Sequence, residues 1–253
     1  MKKILLSLAA VFTLSTSYVP SDPNFVKNSL QVSLNDTAAA PIALTNANPL
    51  SPELSSAVLK YQNINFEDSK ELRFEVFELA LKGFEKLKRE GEISLSVSTL
   101  SIVDFSLSSN EPRFWVIDVE SGNVLFNSLV AHGKNTGEEF AKDFSNRESS
   151  LQSSIGFYRT DQTYQGSNGY SLRLHGLDSG YNDRALERAI VMHGANYVSE
   201  DFGRKHQRIG RSWGCPAVPS KLAHSIIDTI KEGSVLFHYY PDETYLASSK
   251  WLN

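Results

Sequence analysis

The hydrophobic period of this chain changes at Gly91, and that change dictates what it can fold into. Upstream, Phe77, Ala80, Leu81, Phe84 and Leu87 recur at helical spacing with Lys and Glu on the opposite face. They predict a helix from about Asp68 to Glu90, with Gly91 as its C′ stop. Downstream, short apolar runs bounded by turn residues take over. They predict strands at Leu100–Phe105, Phe114–Val119, Val124–Val130, Ile155–Tyr158, Tyr170–Leu174, Ala189–His193 and Val235–Tyr240. Glu120-Ser121-Gly122-Asn123 is a hairpin turn between the second and third. One more helix is expected over Pro219–Glu232, with Leu222, Ile226, Ile227 and Ile230 on one face and Gly233 closing it. The fold class is therefore mostly β (α+β): a domain of about 150 residues, preceded by a helical segment whose apolar stripe packs on it.

The ends of the chain read differently. Met1-Lys2-Lys3 precedes a short apolar run from Ile4 to Phe12, and Ser15-Thr16-Ser17 supplies small residues for cleavage after Ser17. This is the pattern of a secretory signal peptide over 1–17, too short for a comfortable membrane span. The expected location is outside the cytoplasm, in the periplasm or cell envelope of a bacterium, with no transmembrane segment in the mature chain. Residues 18–64 read as a linker plus a short helix that Ser51 caps and Pro52 opens, ending near Gln62. The remaining boundaries are a helical segment at 65–92, the β-rich domain at 93–246 and a tail at 247–253. A net charge of −4 without a Lys/Arg block gives no electrostatic case for nucleic acid. The six histidines show no zinc-ligand spacing, so no metal is expected, and the oligomeric state is left open.

Cys215 is the only cysteine, so no internal disulfide is available and packing must hold the fold. An idle thiol in an oxidising compartment is a liability, whereas a lone cysteine with a histidine to hand is a candidate nucleophile. The alternative is a small buried hydrophobe. Cys215 ends the tight run Gly210-Arg211-Ser212-Trp213-Gly214, and His193-Gly194 closes a strand 22 residues upstream. A histidine at a strand end and a cysteine on a glycine turn can meet at a sheet rim, where amides beside Cys215 could line an oxyanion hole. His175-Gly176 is a second His-Gly pair and the rival base, or a contact to substrate. His132 and His238 read as structural or cleft-lining.

The pattern His-Gly followed by Ser-x-Gly-Cys resembles the signature of the murein L,D-transpeptidase catalytic domain family, the YkuD-type L,D-transpeptidases. The resemblance extends through Ile102–Ser106, Val130–Gly137, Ser153–Tyr158, Gly169–Leu174, Ile190–Ala195 and Gly210–Ala217, and covers about residues 65 to 245. It implies a β-sandwich or barrel catalytic domain in which Cys215 is the acylated nucleophile and His193 the general base. The Gly194 carbonyl would orient the imidazole, and Ser212 and Gly214 would hold the turn, with the Gly214 and Cys215 amides as oxyanion donors. The implied substrate is a peptidoglycan stem peptide, cleaved at an L,D-bond through a thioester that passes to an amine without a cofactor. Water as acceptor would instead make a carboxypeptidase or endopeptidase; a catalytically idle wall-binding protein is the other alternative. Tyr158, Arg173 and Arg211 lie near the motif segments and either bind stem carboxylates or make local polar contacts. Two departures stand out. Pro216-Ala217-Val218 follow the cysteine where better-known members carry Arg or Asn, and Ser199–Arg208 is a polar insertion between His and Cys.

Overall fold

The structure is a computed structural model, and it describes residues 51–253. The expected signal peptide and most of the linker lie outside the described residues. Eight strands form one sheet: β1 (Thr99–Asp104), β2 (Phe114–Asp118), β3 (Asn123–Ser128), β4 (Gly156–Gly166), β5 (Gly169–Gly176), β6 (Val191–Ala195), β7 (Ala217–Pro219) and β8 (Val235–Tyr239). Their spatial order is β3-β2-β1-β8-β4-β5-β6-β7. The β1–β8 and β6–β7 pairs are parallel and the others antiparallel. The chain leaving β3 crosses to the far edge, where Ala131 bridges Ala217 of β7, so the sheet nearly closes into a barrel.

The central strands are buried on both faces, which is why they read as continuous apolar runs rather than strict alternations. Along β1, β2 and β8, Ile102, Trp115, Ile117, Val235 and Phe237 enter one core, while Val103, Phe114, Val116 and Leu236 enter the other. The first core is covered by α1 (Pro52–Gln62) and α2 (Phe74–Arg89). The Ser51 hydroxyl caps α1 by accepting from Leu54 N–H at 3.2 Å. Gly91, at φ +75°, ends α2 in a Schellman arrangement: Glu92 N–H donates to Leu87 O and Gly91 N–H to Lys88 O. The second core is closed by α4 (Ser220–Ile230), through Ala223, Ile226, Ile227 and Ile230.

Four expectations need correction. The long helix begins at Phe74 rather than Asp68, because residues 70–73 are held to the sheet edge instead. Lys70 N–H donates to Asn127 Oδ1 (3.0 Å), Trp115 Nε1 to Lys70 O (2.7 Å) and Arg73 Nη2 to Asp104 Oδ2 (2.7 Å). β4 runs on to Gly166, making a long hairpin with β5 that pairs Gly166 with Gly169. Its outer half has little apolar pattern and is joined by polar cross-strand contacts, Asp161 with His175 and the Arg173 guanidinium over Tyr164. The segment read as a polar insertion contains the short helix α3 (Glu200–His206), capped by Ser199 Oγ, with acids in its first turn and bases in its last. On α4, Leu222 is 37% exposed and Ala223 takes its place in the core.

The C-terminal residues dock. After α5 (Glu243–Ser248), Trp251 and Leu252 are buried, with Trp251 Nε1 donating to Leu177 O at 2.8 Å. Asp178 is buried, which pushes its carboxyl upward, and it accepts from Phe157 N–H (2.7 Å) and Ser249 Oγ (2.6 Å). The segment that leaves β3 and bridges to β7 is held by Arg113, which is fully buried. It donates twice to Val130 O (3.2 and 3.0 Å), to Leu107 O (2.8 Å) and to His132 Nδ1 (2.8 Å). Burial pulls its pKa down to about 9, so it stays charged at neutral pH.

Two predictions follow from this packing. Gly83 lies mid-helix on α2 where a Cβ would overlap the Phe157 ring, itself stacked on Phe237 at 4.2 Å. Helix propensity favours alanine there by about 1 kcal/mol. Overpacking costs typically about 1–3 kcal/mol and should prevail. Gly83→Ala is therefore expected to lower the urea midpoint; a rise would contradict this packing.

The second prediction concerns acid. Desolvation holds His132 down to about 3, with the Arg113 charge adding to it, and holds His238 down to about 4. The ordinary value is 6.5, so below that pH the unfolded chain binds more protons than the folded one. Stability should therefore fall as pH drops from about 6.5 toward 4. His238→Asn keeps a donor for Ser154 O, the partner of His238 Nδ1 at 3.0 Å, and removes the titration. Urea unfolding from pH 7 to 4.5 should show a shallower decline in that variant; equal slopes would refute the assignment.

Candidate active site

β6 and β7 bring His193 and Cys215 to one rim of the sheet. His193 sits opposite Ser171 of β5 on one side and Ala217 of β7 on the other. Cys215 lies two residues before Ala217, at the end of the turn that delivers the chain into β7. α4 starts directly after β7 and presses on β6. A Cβ on Gly194 would stand 2.8 Å from Ala223 Cβ and 3.2 Å from Ser220 Cα, so only glycine fits beside the histidine.

The turn is built around Ser212, which is buried. Its Oγ accepts from Gly214 N–H (3.0 Å) and donates to Cys215 O (2.6 Å). Its backbone N–H donates to His132 O (3.0 Å), and its carbonyl accepts from Lys134 N–H (2.9 Å). Gly214 has φ +124°, where L side chains are rare, and a Cβ would stand 2.8 Å from Gln152 O. From outside, Ser153 Oγ donates to Gly214 O (3.1 Å) and accepts from Gly133 N–H (3.0 Å). The turn is thus pinned from within by one serine and from without by another. Of the two amides expected to receive an oxyanion, that of Gly214 is already taken by Ser212 Oγ. The Cys215 amide has no hydrogen-bond partner among the described residues.

His193 is buried, and its Nδ1 lies 3.0 Å from Gly194 O. A carbonyl only accepts, so Nδ1 carries the proton and Nε2 keeps its lone pair. Burial also lowers the imidazole pKa, favouring the neutral form. The half-buried Cys215 thiol donates to Ala189 O at 3.8 Å, a long sulfur contact, and is not hydrogen-bonded to His193. Burial raises its pKa, opposed by the Val191 N–H and the Arg188 charge. The arrangement is thus a thiol and an imidazole both held toward their neutral forms, the one just before β7 and the other on β6.

The remaining candidates separate clearly. Tyr158 is fully buried and donates to Ser154 O (3.1 Å), so it is part of the core and is withdrawn as a substrate contact. Arg211 is occupied, with Nη1 reaching Lys134 O (2.9 Å), Gly137 O (2.8 Å) and Glu138 Oε1 (2.7 Å); it staples the neighbouring loop. His175 is held by Asp161 Oδ2 at 2.8 Å on the β4–β5 hairpin rather than at Cys215. Arg173 stays exposed on the strand beside β6, opposite Val191, with its guanidinium 4.4 Å from the centroid of Tyr164. Among the described residues no group of three or more His, Cys, Asp and Glu is arranged to hold a metal, and no helix is long and apolar enough to cross a membrane. Sequence reasoning passed over Arg188 and read Ala189 as the start of a strand, whereas both precede β6, which begins at Val191. Ala189 adopts φ +52°, and its carbonyl is the one that meets the thiol.

Comparison with curated proteins gives no match. Among solved structures the chain is similar to an L,D-transpeptidase from Mycobacterium smegmatis, at 13% identity and a TM-score of 0.36, covering 56% of this chain and 59% of that one. It is also similar to L,D-transpeptidase 1 of Mycobacterium tuberculosis, at 14% identity and a TM-score of 0.32, covering 56% and 62%. An L,D-transpeptidase from Xylanimonas cellulosilytica matches at 11% identity and a TM-score of 0.32, covering 74% and 93%. The chain thus spans about three fifths of the length of the two mycobacterial structures. The L,D-transpeptidase catalytic domain family matches residues 68–239, which is more than half of the sequence. The chain belongs to the L,D-transpeptidase catalytic domain family.

Proposed function

We propose that this protein is a cysteine-dependent acyltransferase acting on peptidoglycan stem peptides outside the cytoplasm. The observation that carries the reading is the tautomer of His193: Gly194 O fixes the proton on Nδ1 and leaves Nε2 free to accept, on the strand paired with the one that Cys215 leads into. Nε2 takes the Sγ proton, and the thiolate attacks the carbonyl of the third stem residue. The Cys215 N–H, which has no partner among the described residues, donates to the oxyanion. The oxyanion collapses, the bond to the terminal D-residue breaks, and the departing amine receives the proton from the His193 imidazolium. A thioester on Cys215 remains. An incoming amine passes its proton to Nε2, attacks the thioester and releases the Cys215 sulfur, which recovers a proton from the imidazolium. Water in place of the amine gives hydrolysis by the same steps.

The signal-like residues 1–17 support export, where such a substrate lies. Arg173, exposed near the site, is the remaining candidate for a stem carboxylate.

Mass spectrometry of tetrapeptide muropeptides incubated with the protein and a diamino-acid acceptor provides the test. Wild type is expected to release the terminal D-residue and yield cross-linked or acceptor-substituted products. Cys215→Ala should abolish both, and His193→Ala should slow them by roughly 10²–10⁴-fold. Release of the D-residue without acceptor incorporation would reassign the protein as a carboxypeptidase. No cysteine-dependent change in the stems would overturn the proposal.

A further inference from the structure

Arg188 lies in the turn before β6, and its half-buried guanidinium has no carboxylate partner among the described residues. Nη1 donates to Ser145 O (2.8 Å) and Ser154 Oγ (2.5 Å), and Nη2 to Gln152 O (2.6 Å) and Ser150 Oγ (3.2 Å). Every acceptor is neutral. Nε is buried and has no partner among the described residues. An arginine clasping a loop through carbonyls and hydroxyls leaves its positive charge uncompensated, at a cost that a nearby anion would relieve.

The guanidinium also flanks the nucleophile turn. Nη2 stands 3.5 Å from where a Cβ on Gly214 would lie, and the Cys215 thiol contacts the carbonyl of the next residue, Ala189. Two groups able to carry negative charge act on Arg188, the Tyr158 phenol and the Cys215 thiol. Tyr158 is fully buried and its pKa is pushed far above the ordinary range, so it remains neutral. Tyr197, whose phenol also senses Cys215, is raised to about 12 by burial and remains neutral too. His193, on β6, is held toward its neutral form. Of the two groups that act on Arg188, the thiol is the one able to ionise.

We infer that Arg188 is a positioning residue for the Cys215 thiolate: its unpaired guanidinium, fixed by the 145–154 loop, stabilises the ionised nucleophile while Ala189 O holds the neutral thiol at rest. The idea rests on the reading of Cys215 as nucleophile. It concerns the thiol itself, so it can be tested without any stem peptide.

The test is the pH profile of Cys215 alkylation by iodoacetamide in the full-length protein, with melting followed in parallel. Arg188→Gln should move the inflection up by about one pH unit, making alkylation at pH 7 roughly tenfold slower. Arg188→Lys removes most of the clasp but keeps the charge, and its inflection should stay within about half a pH unit of wild type. An unchanged inflection in folded Arg188→Gln would overturn the proposal. So would a full rise in Arg188→Lys, and that arm stands whether or not Arg188→Gln folds. A shifted inflection together with inactive muropeptide assays would sink the transpeptidase reading and leave this one standing.

Discussion

The closure of the sheet rests on the buried guanidinium of Arg113, and the site depends on that closure. A buried charge is tolerated only when its donors are satisfied. Arg113 meets this by gathering Val130 O, Leu107 O and the neutral His132 around itself. That fixes the segment leaving β3, whose Ala131 N–H donates to Ala217 O at 2.8 Å and whose His132 O receives Ser212 N–H at 3.0 Å. The turn ending in Cys215 is therefore bound to both ends of the sheet at once. Loosening Arg113 would release that turn from one side, although no atom of Arg113 belongs to it.

Around the turn, constraint is concentrated in small residues. Ser212 spans the turn from Gly214 N–H to Cys215 O, Ser153 holds Gly214 O, and Gly194 lets α4 close on β6. The thiol is left half-buried, its ionisation opposed by desolvation and favoured by the Val191 N–H and a guanidinium. That balance favours a protonated Cys215, with an imidazole held toward its neutral form on the adjoining strand.

Much of this was legible in the residues, and the gaps have physical causes. The central strands, α2 after Phe74 and α4 could be read because burial on one or both faces imposes a pattern. The outer half of the β4–β5 hairpin escaped notice because polar pairs, rather than a core, hold it together. Residues 68–73 fit a helical period but are drawn to the sheet by Trp115, Asn127 and Asp104, contacts made across long stretches of sequence. His193 and Cys215 stood out as candidates beside their glycines, while Ser212 was singled out through the family resemblance. Tyr158 lay near the motif but faces inward, and Arg188 carries no motif; its position is set by a loop that folds back from residues 145–154.

The most direct measurement of the central claim is the intact mass of the protein quenched during incubation with a tetrapeptide muropeptide and no acceptor. The account predicts a covalent adduct equal to the substrate less its terminal D-residue, mapping by peptide fragmentation to Cys215 and absent in Cys215→Ala. Turnover of the stem with no adduct on Cys215, or with the same rate in Cys215→Ala, would contradict it.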